Sequence, residues 1–307
     1  MCGLYGFLHY GNNEIKNLSL LTNSLAEEAA VRGTDATGIA FNSNGRLSIL
    51  KESKPAYRLN FKHSDNISAV IGHTRHSTQG SEKKNYNNHP FFGRCQNTRF
   101  ALAHNGVLIN DKNLRKQYRL SKSKIETDSY IAVQLLEYKK KLNSESIKFM
   151  AEAVEGSFSF SILDSNNSIW LVKGDSPLSI LHFPDLGLYV YASTEEILWK
   201  ALIETDLFQE LKDGIYESIK ITEGDILHIL PNGELVYSKF NFTDYSGYGR
   251  CNWWDYGTDS SYSYIDDIKS ISAYYGYSEE EIDELLAEGF TPEEIEETLY
   301  ENDRLRV

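Results

Sequence analysis

Met1-Cys2-Gly3-Leu4-Tyr5-Gly6 opens the chain, and Cys2 is its sharpest feature. A cysteine taken alone is more often a small buried hydrophobe than a nucleophile. Position changes that reading. Methionine is commonly removed when the second residue is small, which would leave Cys2 at the amino terminus. A terminal α-amino group has an ordinary pKa of roughly 7.7–8.0, so much of it is a free base near neutrality. Nucleophile and general base would then share one residue. Gly3 and Gly6 let the backbone pass close to a substrate. The hexapeptide lacks the basic segment of a secretory signal.

Outward from this start, the 307 residues allow one large domain and something smaller, or two modest domains. Hydrophobic residues make up 41% and charged residues 24%, the balance of a globular chain with a real core. No stretch approaches the roughly 18 apolar residues of a membrane helix. Cys2, Cys95 and Cys251 lie far apart, which argues against a disulfide framework or a zinc ribbon and for a reducing cytoplasm. The net charge of −13 argues against nucleic-acid binding. Eleven Asp and Glu and no Lys or Arg fall in residues 276–301, so the acidity belongs mostly to the C-terminus.

Short β-branched and aromatic runs bounded by turn residues predict strands at Leu47–Leu50, Ala69–Gly72, Phe100–Ala103, Phe158–Leu163, Ile169–Val172 and Leu188–Tyr191. Asp164-Ser165-Asn166-Asn167 reads as a hairpin turn. Helical spacing covers Ser19–Ala30 and Thr127–Lys141, and more weakly Ile147–Val154 and Thr194–Ile203. Strand clusters separated by helices suit layered sheets. A domain over residues 2–243 is expected, then a Tyr/Gly/Ser-rich linker over 244–264, then a helical extension over 265–307.

That extension carries a repeat of period 13: Gly276–Glu288 followed by Gly289–Glu301. Ser278 with Glu281, and Thr291 with Glu294, have capping-box spacing, and Tyr277/Ile282 and Phe290/Ile295 form hydrophobic staples. Pro292 fits the first helical position and Gly289 a helix end. A helical hairpin follows, with a third helix conceivable at Tyr264–Tyr274. It reads equally as a docking module or as a solvated cap.

Four further clusters carry chemistry. Gly72-His73-Thr74-Arg75-His76-Ser77-Thr78-Gln79-Gly80 follows an apolar strand, and Arg75 at its end can bind a carboxylate through two parallel hydrogen bonds. A lone arginine is more often a surface ion pair. His104-Asn105-Gly106 follows the strand Phe100–Ala103. An Asn amide beside a Gly N–H is a credible pair of oxyanion donors, although Asn-Gly alone is commonly a turn. In Glu126-Thr127-Asp128, Thr127 or Asp128 reads as a helix N-cap, or Asp128 as the partner of an ammonium group. Arg32-Gly33-Thr34-Asp35-Ala36-Thr37-Gly38 and Asn88-His89-Pro90 complete the series.

Taken in order, these motifs resemble class II glutamine amidotransferase domains of the N-terminal nucleophile hydrolase superfamily, such as those of glucosamine-6-phosphate synthase and amidophosphoribosyltransferase. The resemblance spans roughly Cys2 to Phe242. It continues through Gly156-Ser157-Phe158, Lys173-Gly174-Asp175, Pro177-Leu178 and Ala192-Ser193-Thr194-Glu195. It implies an α+β, four-layer αββα sandwich, here with a small C-terminal helical extension. It implies Cys2 as nucleophile with its own amine as base, and Asn105 and Gly106 as the oxyanion hole. Arg75 and Asp128 would hold the carboxylate and ammonium of L-glutamine. Thr78 would sit in a loop that closes over the site, Arg32 would hold the N-terminus, and His76 and His104 would support the site. His76 stands where many relatives have Trp, and Gln79 where some have His, which bears on how the loop packs.

The implied activity is glutamine hydrolysis to glutamate and ammonia, without metal or organic cofactor. About 65 residues follow the sandwich, too few for a synthase domain, so a separate protein is expected to handle the ammonia acceptor. Neither nucleic acid nor membrane is expected as a partner, and a homo-oligomer is left open. The rival readings are an N-terminal nucleophile hydrolase for another amide, and a non-catalytic scaffold acting through its acidic tail.

Overall fold

The computed structural model describes residues 2–11, 15–64, 66–243, 265, 268–269, 272, 277–292, 294–295 and 298–299. The expected linker 244–264 and much of the third helix lie outside these residues. Two antiparallel sheets dominate. The first runs in the order β11 (Glu217–Ser218), β9 (Ser179–Phe183), β10 (Leu188–Ala192), β1 (Gly3–His9), β4 (Ala69–Arg75), β2 (Ala36–Ser43), β3 (Arg46–Glu52). The second runs β13 (Leu235–Lys239), β12 (Asp225–Ile229), β8 (Ile169–Lys173), β7 (Gly156–Asp164), β6 (Thr98–Leu108), β5 (Phe91–Cys95).

The layering follows from side-chain alternation along the central strands. In β1, Leu4 and Leu8 enter a core shared with Ala101, Ala103, Leu163 and Leu171 of the second sheet. Tyr5 and Phe7 point the other way, into a core with α1 (Leu18–Ala29) and α5 (Glu195–Ile203). In β6, which the short helix α2 (Asp111–Gln117) follows, Phe100 and Leu102 face α3 (Tyr130–Lys139) and α4 (Ser144–Ala153). The central strands of both sheets are therefore buried on both faces, and the chain folds as an αββα sandwich. Among the described residues no helix is long and apolar enough to cross a membrane.

Where the sequence suggests a helix from Thr127, α3 starts at Tyr130, and no side chain caps it. Neither Thr127 nor Asp128 is its N-cap, because that position falls to Ser129. The hairpin between β7 and β8 is closed by Asp164, whose Oδ1 accepts from the N–H groups of Asn166 and Ser168. In the tail, the helix Glu279–Ala287 begins with a complete capping box of Ser278 and Glu281. The Thr291 and Glu294 N–H groups bond reciprocally to each other's side chains, repeating the pattern. Ile268, Ile282, Ile295 and Leu299 form a small core of their own.

Candidate active site

The alternation that builds the inter-sheet core also aims side chains at one end of it. Along β4, Ala69 and Ile71 point between the sheets, and His73 and Arg75 share that face. Along β6, Ala101 and Ala103 do the same, and Asn105 follows them. Gly3 pairs with Thr74 of β4, and one further step of that register brings Cys2 beside Arg75. The two sheets are pinned at this level: the His73 Nε2–H donates to the His104 carbonyl at 2.9 Å.

Cys2 is half-buried. The Arg32 Nε–H, at the end of a turn that follows α1, donates to its carbonyl oxygen at 2.8 Å, and its thiol lies 3.5 Å from the His76 carbonyl. Arg32 is itself buried, so this anchor is fixed by packing. Gly33 has no room for a side chain, because a Cβ there would sit 2.4 Å from the Arg75 carbonyl carbon. That close approach brings Asp35 against the loop after β4, where its carboxylate accepts from the Ser77 N–H at 2.7 Å.

Asn105 is buried, and among the described residues its Nδ2 has no hydrogen-bond partner. A buried, unspent amide donor costs free energy and calls for an explanation in function. Gly106 beside it has φ +130°, in the region that favours glycine, and a Cβ would meet the Ser157 carbonyl at 2.1 Å. This strand is locked from behind. His104 donates from Nε2 to the Ser157 carbonyl at 3.3 Å and accepts at Nδ1 from the Ser129 hydroxyl at 2.8 Å. Burial pushes the imidazoles of His73 and His104 down to about 3, and that of His89 well below the ordinary value. Burial thus favours the neutral ring in all three, and among the described residues no group of His, Cys, Asp and Glu is arranged to hold a metal.

Arg75 is almost fully buried, which sets it apart from a surface ion pair. Its Nη1 donates to Asn88 Oδ1 at 2.7 Å, and its Nη2 to the carbonyls of Gln79 and Gly80, each at 2.7 Å. Of the five N–H donors of a guanidinium, only the Nε–H and one Nη1–H remain, so no pair of parallel donors is wholly free. Asp128 is buried, and its Oδ2 accepts from the Leu108 N–H of β6 at 2.6 Å. Burial raises its carboxyl above the ordinary range, against the hydrogen bonds that lower it. His76 and Thr78 are exposed in the loop after β4. Asn88 as the Arg75 partner and Asp35 as the loop anchor emerge only from the fold, although both lie in motifs visible in the sequence, Asn88-His89-Pro90 and Arg32–Gly38.

Residues 73–199 match the glutamine amidotransferase domain family. Glutamine–fructose-6-phosphate aminotransferase (isomerizing) of Geobacillus kaustophilus is 29% identical over 247 residues, covering 78% of this chain and 39% of that protein. The enzyme of the same name from Listeria innocua is 32% identical over 249 residues, with the same coverage. The chain thus spans 39% of the length of these two relatives. The fold is similar to glutamine phosphoribosylpyrophosphate amidotransferase from B. subtilis, with TM-score 0.62 and 20% identity over 89% of this chain and 58% of that one. This chain carries a class II glutamine amidotransferase domain.

Proposed function

We propose that the domain hydrolyses the side-chain amide of L-glutamine with Cys2 as nucleophile, after removal of Met1. The Cys2 α-amine takes the thiol proton, and the thiolate attacks the amide carbon. The Asn105 Nδ2–H and the Gly106 N–H stabilise the tetrahedral oxyanion. As the intermediate collapses, the α-ammonium protonates the departing amide nitrogen, which leaves as ammonia. Water then cleaves the γ-glutamyl thioester, with the amine again as base, and releases glutamate. Arg75 holds the substrate carboxylate, Asp128 its ammonium, and Thr78 closes with the loop. Arg32 fixes the N-terminus, while His76 and His104 support the site.

The observation that carries this reading is the unpaired Asn105 amide, buried at the end of the inter-sheet core where β1 begins. A scaffold without chemistry gains nothing from such a donor. We read residues 2–243 as the amidotransferase unit. The ammonia passes to an acceptor handled by a separate protein in the cytoplasm, and the capped acidic helices after residue 264 form a distinct unit.

Turnover of glutamine by the purified protein, with its intact mass, tests the mechanism. Active protein should lack Met1, and Cys2→Ala should abolish ammonia release while the fold persists. Full activity in protein that retains Met1 would sink the assignment of the amine as base.

A further inference from the structure

Two segments that this chemistry needs are joined by a side chain the mechanism does not use. Glu126 stands two residues before Asp128 and is held on both carboxylate oxygens. Lys84 Nζ lies 2.5 Å from Oε1, and Asn87 Nδ2 donates to Oε2 at 3.0 Å. Its backbone is held as well. The Glu126 N–H donates to Asn87 Oδ1 at 2.9 Å, and Gln79 Nε2 donates to the Glu126 carbonyl at 2.9 Å. Asn87 is completely buried, and it also donates to the Ser81 carbonyl at 3.1 Å.

The contacts form one connected path. Arg75 donates to the carbonyls of Gln79 and Gly80, and residues 79–87 of that loop grip Glu126. Two residues on, Asp128 accepts from Leu108 of β6. The exposed Lys84–Glu126 pair is by itself a weak tie. The buried Asn87 amide is the stronger one, because losing Glu126 would strand polar groups that water cannot easily reach.

We propose that Glu126 is a positioning residue that sets the distance between Arg75 and Asp128, and so fits the site to the carboxylate and ammonium of one α-amino acid. The proposal rests on the glutamine reading above. Glu126 acts through the other two and touches no reacting atom. The hydrogen bonds from Lys84 and then Asn87 hold its carboxyl below the ordinary range, so the clamp is charged at neutral pH.

The test uses the full chain, with Glu126→Ala and Glu126→Gln. Glu126→Ala should raise KM for glutamine about three- to tenfold, the scale of one or two lost hydrogen bonds, and leave kcat within about twofold. Glu126→Gln keeps an acceptor for Asn87 and should recover most of the lost affinity. Without substrate, backbone amides of residues 77–88 should exchange hydrogen faster in Glu126→Ala than in the parent. A fall in kcat with unchanged KM, or unchanged exchange in that loop, would overturn the proposal. The exchange measurement needs no turnover. A parent chain inactive on glutamine would therefore refute the functional reading, while the loop data still decide whether Glu126 is a clamp.

Discussion

The two arms of the site are built in opposite ways. On β6, Asn105 keeps a buried amide donor without a partner, and the strand around it is fixed by the β7 ladder and by His104. On β4, Arg75 has given three donors to its own protein, at Asn88, Gln79 and Gly80. One arm is held rigid: under the proposed function its donor would meet the developing negative charge, on a strand that is locked from behind. The other arm must trade. Under the proposed function, a substrate carboxylate would engage two parallel guanidinium donors only by displacing a loop carbonyl, which would couple binding at this end to a shift of the loop. The contrast suits the two tasks. Transition-state stabilisation gains from rigidity, whereas admitting and releasing an amino acid needs an element that can open.

The largest effect should come from the rigid arm. Asn105→Ala should lower kcat by about 10²–10³ with little change in KM, the usual loss for one oxyanion donor. The β6 ladder is backbone, so the fold should survive, and near-ultraviolet circular dichroism would check this. A change confined to KM would mean that the bare amide meets the ground state, and the contrast would fail.

Next comes the trading arm. Arg75→Ala should raise KM for glutamine about 10- to 100-fold, since hydrogen bonds to charged groups are worth about 1.5–3 kcal/mol. It should also free the loop that Arg75 ties down through Gln79 and Gly80. Arg75→Lys should not restore binding, because an ammonium cannot copy the planar fork that reaches Asn88 and the two carbonyls together. Steady-state kinetics with hydrogen exchange over residues 76–88 would check both claims. Restored KM in Arg75→Lys would mean that charge alone matters there.

How far these arms were legible in the sequence depends on the range of the contacts. Apolar strand runs were enough to set Arg75 at the end of β4, and the helices α1, α4 and α5 and the 164–167 hairpin followed from local pattern, whereas Asn105 lies within β6 rather than after the strand, and the helices Asp111–Gln117 and Phe208–Lys212 were not visible. Strands β2 and β12 were less visible, because Gly38 interrupts one and Asp225 opens the other. Loop contacts were out of reach. Asn87 and Glu126 are 39 positions apart, and Asp35 and Ser77 are 42 apart, with no periodicity to link them. Nor could composition tell that Arg75 spends its donors internally, because the Gln79 and Gly80 carbonyls belong to the backbone.

The smallest effect concerns Asp128, the group that bridges the arms. Its carboxylate is bonded to β6 at Leu108, yet burial holds its carboxyl above the ordinary range. Only the ionised form can pair with a substrate ammonium. As pH falls through the raised pKa, that partner is lost and KM for glutamine should climb, beginning at a higher pH than for an exposed aspartate. The fold responds with the opposite sign. A carboxyl whose pKa is raised by burial favours the protonated form, so it weakens the fold as pH rises through the same range. Asp128→Asn should flatten the acid limb of the KM profile while raising KM near neutrality, because the amide cannot neutralise the ammonium. A profile of KM against pH for the two proteins checks this. An acid limb of KM that persists unchanged in Asp128→Asn would assign it to another group and leave the Arg75 loop as the pH-sensitive arm.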